Sequence, residues 1–334
     1  MQLENSRLKL IDAIKGLAIV LMVVGHCIQY GSGNLYLINA SYFENIVFKI
    51  IYSFHMPLFM LVSGYLFYYS LSKYSFKELI IRRIKQLIVP IITYSIIDNI
   101  LLCIYNKVII INLQLLLYNL WFLWALFYSS IAVLIISKFF KKEVLMYVLI
   151  GIFTFFIPGV YNFQLYCYMF PYFVLGYLFN KYSLKDRAIS KINLIFCVSF
   201  VITIVGLMLY NYSSYIYTTG YYILNGNAIK QLLIDLYRFV IGLSGSVSVI
   251  IILFNILNVT KLNLLVLIGK NSLGIYIISG LIFAYIFPQF NIYIDNINYM
   301  LIILETICVI FSSIIATLIV KKCKFFNKLL LGGR

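Results

Sequence analysis

The chain is short of charge. Only 11% of its 334 residues are charged while 63% are hydrophobic, which excludes an ordinary soluble domain and leaves a polytopic membrane protein. Acidic residues are scarcest, ten against 26 basic ones. A net charge of +16 would point to nucleic acid in a soluble protein. Here the basic residues sit in short clusters between apolar runs, so no nucleic-acid partner is expected. The six cysteines (Cys27, Cys103, Cys167, Cys197, Cys308, Cys323) form no CxxC pair and no metal-type spacing. They read as thiols of a membrane core, so neither a disulfide framework nor a metal site is expected. No fixed-period repeat, soluble domain or dividing linker occurs, and residues 1–334 read as a single membrane domain. His26 and His55 are the only histidines, so any imidazole chemistry rests on them.

What is present is a series of apolar runs. The first, Leu10 to Tyr30, has the length of a bilayer-crossing helix. Arg7 and Lys9 precede it as in a signal peptide, but no small-residue cleavage site follows and the run carries Asp12 and Lys15, so a retained helix is expected. A polar loop from Gly31 to Ser41 leads to span two, Asn45 to Ser70, which Pro57 should kink. Lys73 to Gln86 has five basic residues, with Phe76, Leu79, Ile80 and Ile84 at helical spacing, and should lie on the membrane surface before span three, Leu87 to Tyr105. The run that follows is too long for one span. It divides into a surface or re-entrant piece, Val108 to Asn119, and span four, Leu120 to Ser137. Spans five and six, Val144 to Ile157 and Phe163 to Phe179, flank a tight turn at Tyr161-Asn162. Span seven is Ile192 to Tyr210, and a Tyr- and Asn-rich loop runs from Asn211 to Asn227. Spans eight to ten are Gln231 to Leu257, Ser272 to Phe287 and Tyr299 to Val320.

The expected fold is therefore all-α, with about ten transmembrane helices and both termini cytoplasmic. In that arrangement only Lys49, Lys107, Lys230 and Arg238 of the 26 basic residues escape the inner segments, as the positive-inside rule requires.

Within the first span, Lys15 and His26 are eleven residues apart. That is within about 20° of three full turns, so both lie on one stripe, about 16 Å apart along the axis. Asp12, one turn before Lys15, can pair with it. Such a stripe in a membrane helix either lines a cavity or consists of a packing histidine and a snorkelling lysine. Histidine suits general-base chemistry because its pKa lies near neutrality. A base at His26 needs an orienting partner, and Asp12, about 21 Å away along the helix, is out of reach. Asp98, Asp235 and Glu305 are the carboxylates on other spans, and the sequence does not choose among them. Cys27 points about 100° away from His26, which speaks against a Cys–His pair. Arg82, Arg83 and Lys85 meet either lipid headgroups or the phosphates of a nucleotide-bearing cofactor. Asp235 and Arg238, one turn apart, form a structural pair or line a polar pocket. Trp121 and Trp124 form an interfacial belt or a sugar-stacking face.

Several of these pieces coincide in order in a known family. The segments IDAIKGLAIVLMVVGH (Ile11 to His26), FHMPLFMLVSGYLF (Phe54 to Phe67), RRIKQLIVP (Arg82 to Pro90), WFLWALF (Trp121 to Phe127), PYFVLGYLF (Pro171 to Phe179) and GKNSLGIYIIS (Gly269 to Ser279) resemble the membrane acyltransferase-3 family. These are inner-membrane O-acyltransferases of bacterial surface polysaccharides, and the likeness is greatest to the fucose-4-O-acetylase-like subgroup. The family signature of a basic residue, ten intervening residues and a histidine corresponds to Lys15 and His26, and its paired cations to Arg82 and Lys85. Many members carry a histidine where this chain has Ser279, which weakens a catalytic role for span nine.

The resemblance implies transfer of an acyl group, most often acetyl, from acyl-CoA to a sugar hydroxyl of a surface polysaccharide or its lipid-linked precursor, in a bacterial cell membrane. Acyl-CoA would be a donor substrate, with no bound cofactor, and the partners would be the glycan acceptor and membrane lipids. His26 would act as base or transient acyl carrier, Lys15 would meet the donor and His55 would be a second proton handler. Asp12 would support Lys15; Arg82, Arg83 and Lys85 would hold the nucleotide; Trp121, Asp235 and Arg238 would face the acceptor. With the boundary near Leu10, His26 stands about 24 Å deep, so the thioester must travel through a tunnel or pass its acyl group on in two steps. Glycerolipid-type chemistry, a histidine with an aspartate five residues later, fails here because Gly31 and Met60 occupy those places. The competing reading is a transporter or export component for a polysaccharide or lipid-linked sugar, since intramembrane charges also mark transport paths. Against it, no paired halves with broken helices are visible.

Overall fold

The computed structural model describes residues 2–31, 41–107, 112–224, 226–259, 262–290 and 297–333. Among the described residues twelve helices carry the fold: α1 (Gln2–Gly31), α2 (Ile46–Lys73), α3 (Phe76–Asn106), α4 (Trp121–Phe139), α5 (Glu143–Thr154), α6 (Phe163–Lys181), α7 (Ile192–Leu209), α8 (Ala228–Val259), α9 (Asn263–Lys270), α10 (Ser272–Leu281), α11 (Tyr299–Lys322) and α12 (Lys324–Leu331). Short helical turns at Leu115–Tyr118, Lys185–Ser190 and Ile216–Thr219 join them, and no strand occurs among the described residues. The protein is an all-α, multi-pass membrane protein.

Eight of these helices are long and apolar enough to cross a bilayer: α1 to α4, α7, α8, α10 with its continuation, and α11. Helices α5 and α6 stand where spans five and six are expected, and each misses the criterion for its own reason. Helix α5 has 12 residues, a rise of about 18 Å against a hydrocarbon core of about 30 Å. Helix α6 is long enough but carries Tyr166, Tyr168, Tyr172 and Tyr177, all buried. Its polar groups are satisfied inside the bundle, with the Tyr168 and Tyr172 hydroxyls donating to the Arg238 carbonyl at 3.3 and 3.2 Å. The tight turn before it is real: Tyr161 and Asn162 both adopt left-handed φ, 48° and 64°.

The basic segment Lys73 to Gln86 is not separate from span three. After a capping box at Ser75 and Glu78 the chain runs as one helix to Asn106, widened by a π turn at Ile84–Ile88. Pro90 explains the widening. It has no N–H to return to Gln86, and the Val89 N–H bonds Ile84 instead. The same event recurs at the end of α10, where the π turn Ile282–Ile286 precedes Pro288. The polar loop after Gly31 and part of the Val108 to Asn119 piece lie outside the described residues; the remainder of that piece holds the Leu115–Tyr118 turn.

Two glycine crossings bring backbones together. A Cβ on Gly64 of α2 would lie 1.9 Å from the Phe173 carbonyl oxygen, and one on Gly176 of α6 would lie 1.9 Å from that of Leu61. The glycines of the two GYLF segments thus pack against one another. In the same way Gly16 of α1 meets the Leu265 carbonyl and Gly269 of α9 meets that of Asp12. Membrane helices gain association energy from such close approach, because lipid offers no hydrophobic drive between them.

Candidate active site

His26 lies on α1 and its Nδ1 is 2.9 Å from Oε1 of Gln29, one turn further on. The same oxygen accepts from the Tyr52 hydroxyl of α2 at 3.0 Å. With that oxygen as a double acceptor, the matching tautomer of His26 carries its proton on Nδ1 and its lone pair on Nε2. The ring packs at 5.3 Å from Phe283, which the π turn after α10 projects onto it. Gly25 makes room for Tyr52: a Cβ there would lie 2.8 Å from Tyr52 Cε2.

Tyr52 also faces the second histidine, edge to face at 5.1 Å. His55 is buried and its Nδ1 lies 2.7 Å from the Ile51 carbonyl, which can only accept, so this proton too sits on Nδ1. Two imidazoles thus converge on one tyrosine, His55 directly and His26 through the shared Gln29 oxygen, each with its Nδ1 committed to an acceptor. None of the three carboxylates weighed for His26 supplies its Nδ1 partner. Asp98 accepts from Asn119 at 2.6 Å and from Tyr285 at 2.6 Å, tying α3 to the chain beyond α10. Asp235 belongs to Arg238, and Glu305 lies near Cys27. Gln29 and Tyr52 are therefore the residues that sequence reasoning missed. The signal for Gln29 was its i+3 spacing from His26, hidden because it is uncharged.

Above this cluster stands the loop 211–220, organised by Arg238. The guanidinium, 2% exposed, donates to the carbonyls of Ser213, Ser214, Tyr215 and Gly220 at 2.6 to 2.9 Å, to Thr219 Oγ1, and to Asp235 Oδ1 at 2.7 Å. Every donor of that side chain is used, so of its two sequence readings the structure favours the structural pair. The loop closes on α2 through Tyr215, whose hydroxyl donates to the Phe43 carbonyl at 2.9 Å, and through Tyr217, 6.2 Å from Tyr52. Burial pushes the Tyr215 phenol far above its ordinary pKa, so it remains a donor. Trp121 packs against Phe122 at 6.0 Å on the central α2–α6 core.

Lys15 occupies the opposite end of the stripe. Its Nζ is 3.3 Å from Asp12 Oδ1, both half-buried, at the edge of a pocket of about 240 Å³. Arg82 lies 3.8 Å over the Tyr74 ring and Arg83 4.6 Å over Phe67, while Lys85 is exposed. These cations share an end of the bundle with Lys15, because Leu331 borders the pocket and a Cβ on the adjoining Gly332 would meet Gln86 at 2.6 Å. Among the described residues no cluster of His, Cys, Asp and Glu could hold a metal.

Comparison with known proteins gives the family. The model of the family described as an acyltransferase domain matches residues 8–322. The nodulation protein NolL of Mesorhizobium japonicum is 29% identical over 189 residues, 53% of this chain and 49% of that protein. The NolL of Sinorhizobium fredii is 24% identical over 292 residues, 84% of this chain and 79% of the relative. The chain thus spans about half the length of the first relative and most of the second. No solved structure matches significantly. With a family match running from the start of the first membrane helix to the end of α11, the chain belongs to the membrane acyltransferase-3 family.

Proposed function

We propose that this protein is a bacterial cell-membrane O-acyltransferase that moves an acetyl group from acetyl-CoA to a sugar hydroxyl of a surface polysaccharide or its lipid-linked precursor. The observation that carries this is His26, held by Gln29 so that Nε2 bears the lone pair, on the helix that carries Lys15 about 16 Å away. Nε2 takes the proton of the sugar hydroxyl, and the oxygen attacks the thioester carbonyl. The C–O bond forms, the C–S bond breaks, and the departing thiolate takes the proton from the imidazolium to leave as coenzyme A. His55, also with Nε2 deprotonated, is placed to share proton traffic through the same aromatic setting. Exposed faces of Tyr212 and Tyr217 on the Arg238-held loop offer stacking surfaces for a sugar ring.

The test is mass spectrometry of surface glycans from cells carrying the intact gene, the His26→Ala variant or no gene. The expected result is one acetyl increment, present with the intact gene and reduced about a hundredfold or more by the variant, which still inserts. Full acylation with His26→Ala would overturn the proposal. Unacylated glycan accumulating inside the variant cells would move the assignment to an export component.

A further inference from the structure

The pocket beside Lys15 holds more cation than the first helix alone supplies. Lys270, at the end of α9, and Lys321, near the end of α11, line it together with Lys15, and Asp12 is the one carboxylate among the lining residues. Lys321 Nζ donates to Asn271 Oδ1 at 2.9 Å, which aims it while leaving two of its three protons for another acceptor. The convergence is built by backbone approach. The Gly16–Gly269 crossing draws α9 onto α1, and a Cβ on Gly274 would lie 2.1 Å from Thr317 Oγ1, drawing α10 onto α11. Three ammonium groups around one carboxylate leave an excess of positive charge facing a cavity, an arrangement that recognises a phosphate anion. The larger recess of about 530 Å³ is lined by residues from Ser137 to Leu145 with Lys181 and Tyr182, none of them on α1, and its Lys181 is already joined to Glu143 at 2.5 Å.

We propose that the Lys15–Lys270–Lys321 pocket seats a phosphate group of the coenzyme A donor, with Lys270 and Lys321 as donor-binding residues. This rests on the acyl-CoA reading above. The stripe of α1 then spans the distance from the anchored phosphate to His26, about 16 Å, which an extended pantetheine arm bridges.

Isothermal titration of coenzyme A into the full-length protein in detergent tests it. The arms are the wild type, the double variant Lys270→Gln/Lys321→Gln, and Lys270→Arg/Lys321→Arg. The glutamine pair should weaken binding about tenfold or more, and the arginine pair should hold it within about threefold. Glutamine variants that bind as the wild type does would overturn the inference alone. A wild type that binds no coenzyme A would overturn the donor reading together with it. Native mass spectrometry separates the other source of phosphate: an anionic phospholipid retained by the wild type and lost from the glutamine pair, with coenzyme A affinity unchanged, would assign the pocket to lipid and overturn the proposal.

Discussion

The two ends of the α1 stripe are built on opposite principles. Around His26 the contacts are neutral and close-packed: an amide, a phenol, two imidazoles and an aromatic roof whose backbone is held by one saturated arginine. Around Lys15 they are charged and partly open, with side chains that retain donors for a ligand. A buried charge without a partner is costly, and the side chains that contact His26 carry none. At the other end the cations are partly exposed, and Asp12 pairs with Lys15. Under the proposed function, chemistry and donor recognition are thereby separated along a single helix.

That contrast can be broken most severely at Arg238. Replacing it with methionine strips hydrogen bonds from four loop carbonyls and leaves Asp235 buried beside an apolar side chain. A loss of about 3–5 kcal/mol is expected, read as a lowered unfolding midpoint in detergent and protease cleavage within residues 211–220. Next comes Gly16→Val, which drives a branched side chain into the Leu265 carbonyl. It should separate α1 from α9, cost about 1–3 kcal/mol and weaken coenzyme A binding before it disturbs the loop. Gln29→Leu removes the acceptor that fixes the His26 tautomer; kcat should fall about tenfold with the donor KM unchanged, whereas a change confined to KM would place Gln29 in donor binding. The smallest effect belongs to Tyr52→Phe, which keeps the ring against His55 and deletes one hydrogen bond to Gln29. About a threefold loss of rate is expected, and a loss as large as that of His26→Ala would mean that the phenol itself handles the proton.

The apolar spans were legible because hydropathy is local, and the helical repeat alone aligned Lys15 with His26. Legibility failed wherever a polar group finds its partner at a distance. Helix α6 has tyrosines that look too polar for lipid until Arg238, far along the chain, is seen to receive them. The i,i+3 pairing of Asp235 with Arg238 was readable, but the carbonyls that complete the guanidinium's shell belong to a loop with no side-chain signature of that bond. No carboxylate partners the His26 Nδ1; the structure uses a neutral amide on the same helix, which carries no charge signal in the sequence. The break between the basic segment and span three was inferred from a change of composition, to which the backbone is indifferent: the π turn carries one helix through it.

Arg238 holds the loop by its carbonyl oxygens, and the side chains of Ser214, Tyr215 and Thr218 add hydrogen bonds to the same frame. Gly220, with φ of 72°, is constrained, while Tyr212 and Tyr217 stand 41% and 49% exposed, each ring also packed against a neighbour, Phe43 and Tyr52 respectively. Under the proposed function, the loop over His26 and His55 is a fixed mount with two half-exposed rings. On the proposed reading, replacing those two residues should shift acceptor preference while the Arg238 contacts keep the loop backbone in place.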